Sequence, residues 1–340
     1  MSVLSIESLH VSYSGQAVIN DFTLSIESNE VMALFGPSGS GKTTVLKAVA
    51  GLLDETSGQI VIENDIVLNH DVNLSANKRP IGLIFQDYAL FPHLTVRQNI
   101  AFGLSSLTKN QQKAQVDELL ELIKLPLEAD KYPHQLSGGQ QQRVAIARAL
   151  ATKPKLMLFD ESFSNIDPQF RFELIADIRN ILKQQNIAGL FVTHNQDEAF
   201  AFCDRIAVLN AGKVEQIDQP QRLFNRPASR FVAEFLGQGL WLDCTVKNSS
   251  LLSSELGDIV YAGDESLIEK SNVQAYVRPH QLKLIKDPES DLFVRNERFV
   301  GEFFESEIAW QGQIIKVKTS QSYLAQPIRI GVKAHIEKVF

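Results

Sequence analysis

Short apolar runs recur through the first two thirds of the chain, and each ends in polar or glycine-rich sequence. They occupy residues 32–35, 81–85, 156–159 and 189–193. Runs of this length, apolar at nearly every position, are typical of strands buried on both faces of a parallel sheet. Residues 1 to about 30 instead alternate apolar and polar positions around Ser14-Gly15, which predicts an antiparallel hairpin. The pattern therefore predicts an α/β core preceded by antiparallel strands.

Between the second and third runs, from about residue 87 to 153, the spacing of apolar positions becomes helical. Thr95 with Gln98, and Thr108 with Gln111, fit a capping box, in which the N-cap threonine and the third helical residue exchange hydrogen bonds. An apolar helix face at i, i+3, i+4, i+7 spacing is formed by Val116, Leu119, Leu120 and Ile123. We therefore expect a helical subdomain at about 87–153, inserted in the α/β core.

The pattern changes again in the last third of the chain. A hairpin around Asn210-Ala211 is predicted to close the α/β core, and residues 221–236 are predicted to form a helical tail. Gly237-Gln238-Gly239 is the best candidate for a linker. Beyond it, from about 240 to 340, short alternating segments predict a small all-β domain with an OB-like barrel. The expected domains are thus 1–236 and 240–340.

Composition, net charge and cysteine spacing exclude several classes of function. The chain has 340 residues, of which 44% are hydrophobic and 21% charged, as in ordinary soluble globular proteins of about two domains. A net charge of −7 argues against a general nucleic-acid-binding surface. Cys203 and Cys244 have no Cys or His at metal-ligand spacing, so reduced cytosolic thiols are expected. No apolar stretch is long enough to span a bilayer, so any membrane role would be peripheral.

The first apolar run leads into a glycine-rich turn of the form G-x-x-x-x-G-K-T, and a helical pattern follows. Backbone amides in such a turn cradle phosphates, with a lysine adding positive charge and a Thr hydroxyl available to Mg²⁺. A chance glycine-rich turn is the alternative, but the strand, turn and helix order favours nucleotide binding. The predicted phosphate-binding residues are Gly36, Pro37, Ser38, Gly39, Ser40, Gly41, Lys42, Thr43 and Thr44.

Polar residues also follow the other apolar runs. Asp160 and Glu161 come after the third run, where Asp160 would hold Mg²⁺ and Glu161 would act as general base toward water. Gln86 follows the second run, and His194 follows the fourth. Because the carboxyl ends of parallel strands meet at one sheet edge, we expect these residues and the phosphate loop to form a single site.

Two further stretches have both a binding and a structural interpretation. A second glycine-containing turn precedes an Ala-rich helix. This turn either binds an anion through its backbone amides or only caps the helix. Its residues are Leu136, Ser137, Gly138, Gly139 and Gln140. Tyr13, one hairpin before the phosphate loop, would either stack on adenine, an interaction worth ~1–3 kcal/mol by analogy with base stacking, or pack on a strand face.

Taken together and in this order, these motifs resemble an ABC transporter ATPase over about residues 1–235, with residues 136–140 resembling the ABC signature. The resemblance implies a head-to-tail homodimer that holds two ATP molecules, each between one subunit's phosphate loop and the other's signature turn. It also implies that Tyr13 stacks on adenine, that His194 is the switch histidine, and that Gln86 touches Mg²⁺ and senses the membrane subunit. Asp167 resembles the D-loop aspartate that crosses the dimer.

The chain departs from the family pattern around the carboxylates. Ser162 stands where the family usually has proline, which frees φ there and would loosen the loop that holds Glu161. Asn165 replaces the usual alanine, and Asn195 replaces the aspartate common after the switch histidine. These departures concern the rate of hydrolysis more than its mechanism.

The C-terminal part resembles the TOBE-type domains of importer ATPases, with the best match at residues 277–280. Residues 91–100 and 334–337 are most similar to ferric-iron importer ATPases, although polyamine, sugar and sulfate importers share most of the pattern. The resemblance implies an ATPase with ATP and Mg²⁺, peripheral to the cytoplasmic face of the inner membrane. Its implied partners are integral membrane permease subunits and, indirectly, a solute-binding protein.

Two other classes of function stay open at this point. A soluble ABC ATPase acting on ribosomes or DNA usually joins two ATPase domains or inserts a long coiled coil, and this chain shows neither. A P-loop GTPase or small-molecule kinase would leave the signature turn unexplained, and no Asn-Lys-x-Asp guanine motif is present. An importer ATPase is therefore the preferred hypothesis, with ferric iron as the expected cargo.

Overall fold

A computed structural model describes residues 2–13, 15–164, 166–263, 267, 271–333 and 335–340. The predictions that concern Ser14, Asn165 and Ala334 lie outside these residues. Contacts divide the chain into two compact units, Met1–Pro220 and Gln221–Phe340. In the described residues, no helix combines the length and apolar character that a bilayer span requires.

The first unit contains ten strands and six helices among its described residues. The strands are β1 (Ser2–Tyr13), β2 (Gln16–Glu27), β3 (Val31–Phe35), β4 (Thr56–Ile62), β5 (Asp65–Leu68), β6 (Ile81–Ile84), β7 (Leu156–Asp160), β8 (Ala188–Thr193), β9 (Arg205–Asn210) and β10 (Lys213–Asp218). The helices are α1 (Lys42–Ala50), α2 (Val96–Ala101), α3 (Lys109–Leu122), α4 (Gly138–Leu150), α5 (Pro168–Gln184) and α6 (Gln196–Phe202). Short 3-10 turns occupy Ala76–Lys78, Phe102–Leu104, Pro126–Glu128 and Pro133–Gln135.

The four apolar runs form β3, β8, β7 and β6, which are neighbours in a six-stranded sheet with the order β10-β9-β3-β8-β7-β6, where β6 is an edge strand. The pairs β3–β9, β3–β8, β8–β7 and β7–β6 are parallel, and every residue of β3 and β8 is buried. The predicted parallel strands are therefore confirmed; β3, β7 and β8 are buried as expected, whereas the edge strand β6 is buried only at alternate positions. The hairpin β9–β10 turns at Ala211 and Gly212, one residue later than predicted, because both positions have positive φ (46° and 78°). Glycine suits the second position, where a Cβ would lie 2.4 Å from the Val18 carbonyl oxygen.

The alternating N-terminal segment forms a separate antiparallel sheet with the order β2-β1-β4-β5. Helix α1 contributes Val45, Leu46 and Val49 to a core cluster that also contains residues of both sheets. Because these α1 side chains are buried against residues of both sheets, the helix is held in place at the end of β3. The start of α1 is thereby held at the edge of the six-stranded sheet.

Helices α2, α3 and α4 occupy the predicted helical stretch. The capping boxes at Thr95 and Thr108 are both formed, with side-chain and backbone hydrogen bonds in each direction. Asn99 is fully buried, and its amide group hydrogen-bonds backbone atoms of Phe91, Leu94 and Thr95. Saturating a buried amide in this way fixes the loop before α2, since an unpaired group there would be costly.

The second unit consists of two short helices and nine strands in its described residues. The helices are α7 (Pro220–Asn225), which begins on the last residue of the first unit, and α8 (Arg230–Phe235). The strands are β11 (Leu240–Asn248), β12 (Leu251–Ser254), β13 (Gly257–Val260), β14 (Asn272–Val277), β15 (Leu282–Lys286), β16 (Val294–Phe299), β17 (Phe304–Trp310), β18 (Gln313–Thr319) and β19 (Ile328–Val332), with a 3-10 turn at Pro279–Gln281. They form sheets β13-β12-β11-β14, β15-β19 and β16-β17-β18 around one apolar core, so the expected all-β region is confirmed.

The division between the units falls earlier than the predicted linker at residues 237–239. The helical tail groups with the C-terminal strands because Arg278 stacks 3.7 Å from the centre of the Phe224 ring. Arg226 also pairs with Glu337 at 2.8 Å. The domain limits 1–236 and 240–340 stay a prediction about which parts fold independently.

Candidate active site

The phosphate loop connects β3 to α1, and its glycines sit where a side chain would be obstructed or strained. A Cβ at Gly36 would lie 2.3 Å from the Leu209 carbonyl oxygen. Gly39 and Gly41 have φ of 79° and 100°, a region that favours glycine. The sequence therefore forces the backbone to curl tightly between the strand and the helix.

The first amides of α1 are available to a ligand. The first helical hydrogen bond runs from Val45 N to Gly41 O at 2.9 Å, so the amides of Lys42, Thr43 and Thr44 precede it. Among the residues that the structure describes, no side chain caps this helix, whose N-cap residue is Gly41. Within the described residues, the buried Ser40 hydroxyl also has no partner. The loop thus fits the phosphate chain of a nucleotide, which would accept these hydrogen bonds.

The ammonium of Lys42 is held over the loop. It donates to the carbonyl oxygens of Gly36 at 2.8 Å and Pro37 at 2.9 Å. Burial lowers the pKa of Lys42, while the nearby carboxylates of Glu161 and Asp160 oppose that shift. The side chain therefore supplies a partly desolvated positive charge beside the free amides.

Thr43 and Asp160 form a pair of oxygen donors. The Thr43 hydroxyl lies 3.4 Å from the Asp160 carboxylate, at the end of β7. Burial raises the pKa of Asp160, with the charge of Glu161 adding to the effect. A divalent cation would relieve this penalty by stabilising the ionised carboxylate, and oxygen ligands are those that Mg²⁺ prefers. Gln86, which is exposed, lies two residues past the end of β6, beside β7 in the same sheet.

Glu161 and His194 are brought into contact although they follow different strands. Glu161 Oε1 lies 3.3 Å from Nδ1 of His194, and the Glu161 amide donates to Val192 O at 3.0 Å. Glu161 has φ of 45°, a left-handed conformation unusual for a residue with a side chain. Glu161 directly follows β7 and His194 directly follows β8, so the pairing of these two strands brings the two side chains together.

The segment after Glu161 is restrained by aromatic packing. Ser162 is fully buried, and Phe163 packs against the rings of Phe159, Phe191 and Phe202 with ring centres 5.2–6.5 Å apart. The Ser164 hydroxyl donates to Glu161 O at 2.9 Å. These contacts restrain the loop at the position where the family proline is replaced by Ser162.

A buried ion pair behind the site was missed by sequence reasoning. Glu198 accepts from the Thr193 hydroxyl at 2.8 Å and pairs with Arg171 at 3.2 Å. Arg171 also donates to Ile166 O at 3.0 Å, next to Asp167. Burial raises the pKa of Glu198, while Thr193 and Arg171 oppose the shift. The only sequence signal was the cap of α6, where Asn195 accepts from the amides of Asp197 and Glu198.

We expect Arg171→Met to destabilise the protein by about 3 kcal/mol, because it leaves the Glu198 carboxylate buried without its cationic partner. Arg179→Met is the matched control, since the pair of Arg179 with Asp204 is more exposed. The control substitution should lower the free energy of unfolding by less than about 1 kcal/mol. Urea unfolding of both variants measures the difference, and equal losses would contradict the assigned role of burial.

The remaining predicted residues lie at element ends. Ser137 is the N-cap of α4 and forms a complete capping box with Gln140, so the structural interpretation of this turn is present in the fold. Asp167 is exposed and caps α5 by accepting from the Gln169 amide at 3.0 Å. Tyr13 ends β1, and 44% of its surface is exposed.

Comparisons with known proteins agree on one family. The family model for ABC transporters matches residues 19–164. A spermidine/putrescine import ATP-binding protein, PotA of Chromobacterium violaceum, is 42% identical over 84% of this chain and 80% of its own length. The sulfate/thiosulfate import ATP-binding protein CysA of Escherichia coli strain K12 is 44% identical over 72% of this chain and 67% of its own length.

Two further matches extend the comparison. An Fe(3+) ions import ATP-binding protein, FbpC 1 of Pectobacterium atrosepticum, is 38% identical over 94% of this chain and 91% of its own length. The solved structure of cbiO1 from Clostridium perfringens, part of the ABC transporter complex cbiONQ, superposes with a TM-score of 0.61. It is 29% identical and covers 67% of this chain and 92% of its own. This chain therefore belongs to the ATP-binding subunits of ABC importers, a family of ATPases.

Proposed function

We propose that this chain hydrolyses Mg²⁺-ATP and couples hydrolysis to solute uptake through separate permease subunits at the cytoplasmic face of the inner membrane. The observation that carries the proposal is the meeting of four strand ends at one sheet edge. There the free amides of α1 and Lys42 lie near the Thr43–Asp160 and Glu161–His194 pairs. This combination of anion-binding amides, oxygen donors and a carboxylate base suits phosphoryl transfer to water.

Each group has a distinct proposed task. The amides of Lys42, Thr43 and Thr44 and the Lys42 ammonium bind the phosphate chain, and Tyr13 stacks on adenine. Thr43, Asp160 and Gln86 would hold Mg²⁺, which when bound neutralises charge on the phosphate oxygens. Glu161 accepts a proton from the attacking water, and His194 orients that carboxylate through their contact.

A homodimer is part of this proposal. The chain carries two helix starts suited to anions, at α1 and α4, and the family resemblance places them on opposite sides of one ATP in a head-to-tail pair. Gln140 N is used by the Ser137 cap, which leaves the amides at Gly138 and Gly139 for the partner's nucleotide. Asp167, exposed at the start of α5, would reach across the same interface.

We infer that ferric iron is the cargo, with a solute-binding protein delivering it to the permease. The support is the similarity at residues 91–100 and 334–337, together with the iron-import relative that covers 94% of this chain. Polyamine and sulfate are the competing cargoes, because relatives named for those solutes show higher identity over shorter spans. We also propose that the C-terminal strands form a TOBE-type domain, as in other importer ATPases.

The cargo is tested by uptake. Cells that lack this subunit, with other iron routes removed, are expected to lose ⁵⁵Fe(III) uptake under iron limitation and to regain it with the intact gene. The Glu161→Gln gene is the matched control and should not restore uptake. Unchanged ferric uptake together with lost spermidine or sulfate uptake would reject iron and leave the ATPase assignment standing.

A further inference from the structure

The ion pair between Arg171 of α5 and Glu198 of α6 is largely buried behind the proposed catalytic residues. Only 16% of the Arg171 side chain and 4% of the Glu198 side chain are exposed. A buried ion pair gains little net stability, because the desolvation of both charges offsets their attraction. Stability alone is therefore a weak reason to bury these two charges here.

Glu198 supports the backbone on both sides of His194. Its Oε2 accepts from the Thr193 hydroxyl at 2.8 Å, and that hydroxyl in turn accepts from the Asn195 amide at 3.0 Å. Thr193 is only 1% exposed, so these hydrogen bonds lie in a region of low dielectric, where they are stronger than in water. Since His194 lies between these two residues, the Thr193 hydroxyl restrains its backbone and is itself held by Glu198.

Arg171 holds the segment that follows Glu161. Its Nη2 donates to the Ile166 carbonyl oxygen at 3.0 Å, and its Nη1 pairs with Glu198 Oε1 at 3.2 Å. Earlier in the same segment, the Ser164 hydroxyl donates to the Glu161 carbonyl oxygen at 2.9 Å. The planar guanidinium therefore joins the segment after Glu161 to the carboxylate that supports the end of β8, which requires donors pointing in two fixed directions.

We propose, on the basis of the function proposed above, that Arg171 and Glu198 are positioning residues for ATP hydrolysis. They hold together the two segments that carry Glu161 and His194, so that Glu161 Oε1 meets His194 Nδ1 at 3.3 Å. A misplacement of about 1 Å can cost about 10²-fold in rate, so loss of this restraint slows hydrolysis although every reacting group is present. Nucleotide binding depends on the phosphate loop and is retained.

Thr193→Val tests the connection to His194. Valine is close to threonine in shape and leaves the Arg171–Glu198 pair in place, but it removes the hydroxyl. We expect kcat to fall by about 10–10²-fold with an unchanged KM for ATP, because the loss is felt only in the transition state. Thr193→Ser is the matched control: it keeps the hydroxyl and should hydrolyse ATP at close to the normal rate. Phosphate release by the purified chain with its permease measures both constants.

Arg171→Lys tests the other end of the connection. Lysine keeps a positive charge beside Glu198, but its single ammonium lacks the fork of donors that also reaches the Ile166 carbonyl oxygen. A fall in kcat of similar size with unchanged KM is expected. Because both substitutions break one connected network, the double variant with Thr193→Val should fall no further than the more affected single variant.

Two further measurements separate positioning from stability. Arg179→Lys makes the same change in α5 at the more exposed pair with Asp204, and it should leave kcat unchanged. Urea unfolding checks that each variant is folded under the assay conditions. In Arg171→Lys, the Asn195 amide is expected to exchange faster with deuterium, because the hydroxyl that accepts from it is less firmly held.

The outcomes distinguish this role from the proposed function. Normal kcat in both Thr193→Val and Arg171→Lys, together with lost turnover in Glu161→Gln, would overturn the positioning role and leave the proposed function standing. Normal turnover in Glu161→Gln would overturn the proposed function and the positioning role with it. Equal losses in Thr193→Ser and Thr193→Val, or a raised KM with unchanged kcat, would also contradict positioning through the hydroxyl.

Discussion

Glu161→Gln is expected to lower ATP turnover by about 10²–10⁴-fold while ATP binding is retained. The amide has the same shape as the carboxylate but cannot accept a proton from the attacking water. The contact with His194 Nδ1 at 3.3 Å can persist as a hydrogen bond to the amide oxygen, so the loop geometry should survive. The ATP-bound dimer is therefore expected to accumulate, because closure no longer ends in hydrolysis.

The measurement is phosphate release by purified protein with its permease, beside nucleotide binding and sedimentation in ATP. Glu173→Gln is the matched control: it makes the same change on an exposed face of α5 and should hydrolyse ATP normally. Turnover near that of the unmodified chain in Glu161→Gln would remove the general-base assignment. Loss of nucleotide binding instead would indicate that Glu161 mainly maintains the fold of the strand end.

Mixed dimers of Lys42→Ala and Ser137→Arg subunits are expected to hydrolyse ATP at up to about half the normal rate, since one of two composite sites stays intact. Each homodimer should fall by about 10²–10³-fold, because every site then lacks either the phosphate charge or the partner's amides. Lys42 sits over the phosphate loop, and the exposed Ser137 opens α4 elsewhere in the same subunit. Only a shared site explains rescue by mixing two inactive chains.

A control is needed because Ser137→Arg also removes a helix cap, a loss of about 1 kcal/mol. Thr108→Arg removes an equivalent capping box from α3 in the same helical region and should leave hydrolysis intact. If mixed dimers are no more active than either homodimer while each variant still binds ATP, two independent composite sites are excluded. Activity of the Ser137→Arg homodimer near normal would show that α4 does not contact nucleotide.

The amino-acid sequence by itself determined the local structure and the types of chemistry. Glycines 36, 39 and 41 dictate a tight loop because of their close approaches and positive φ, and the capping boxes at Thr95 and Thr108 set the starts of α2 and α3. Continuous apolar runs predicted buried parallel strands, since both faces of such strands are covered. These features depend on residues near each other in the chain, so they can be predicted from the sequence alone.

Tertiary structure decided which of these residues meet. The strand order β3-β8-β7-β6 places Thr43 beside Asp160 and Glu161 beside His194, pairs separated by 117 and 33 positions in the sequence. The Arg171–Glu198 pair depends equally on distant segments packing together. Such contacts arise from burial of many side chains at once, and no periodicity or motif along the chain encodes the result. The sequence could therefore name the reacting groups, whereas the packing of the sheets and helices set their distances, burial and charge.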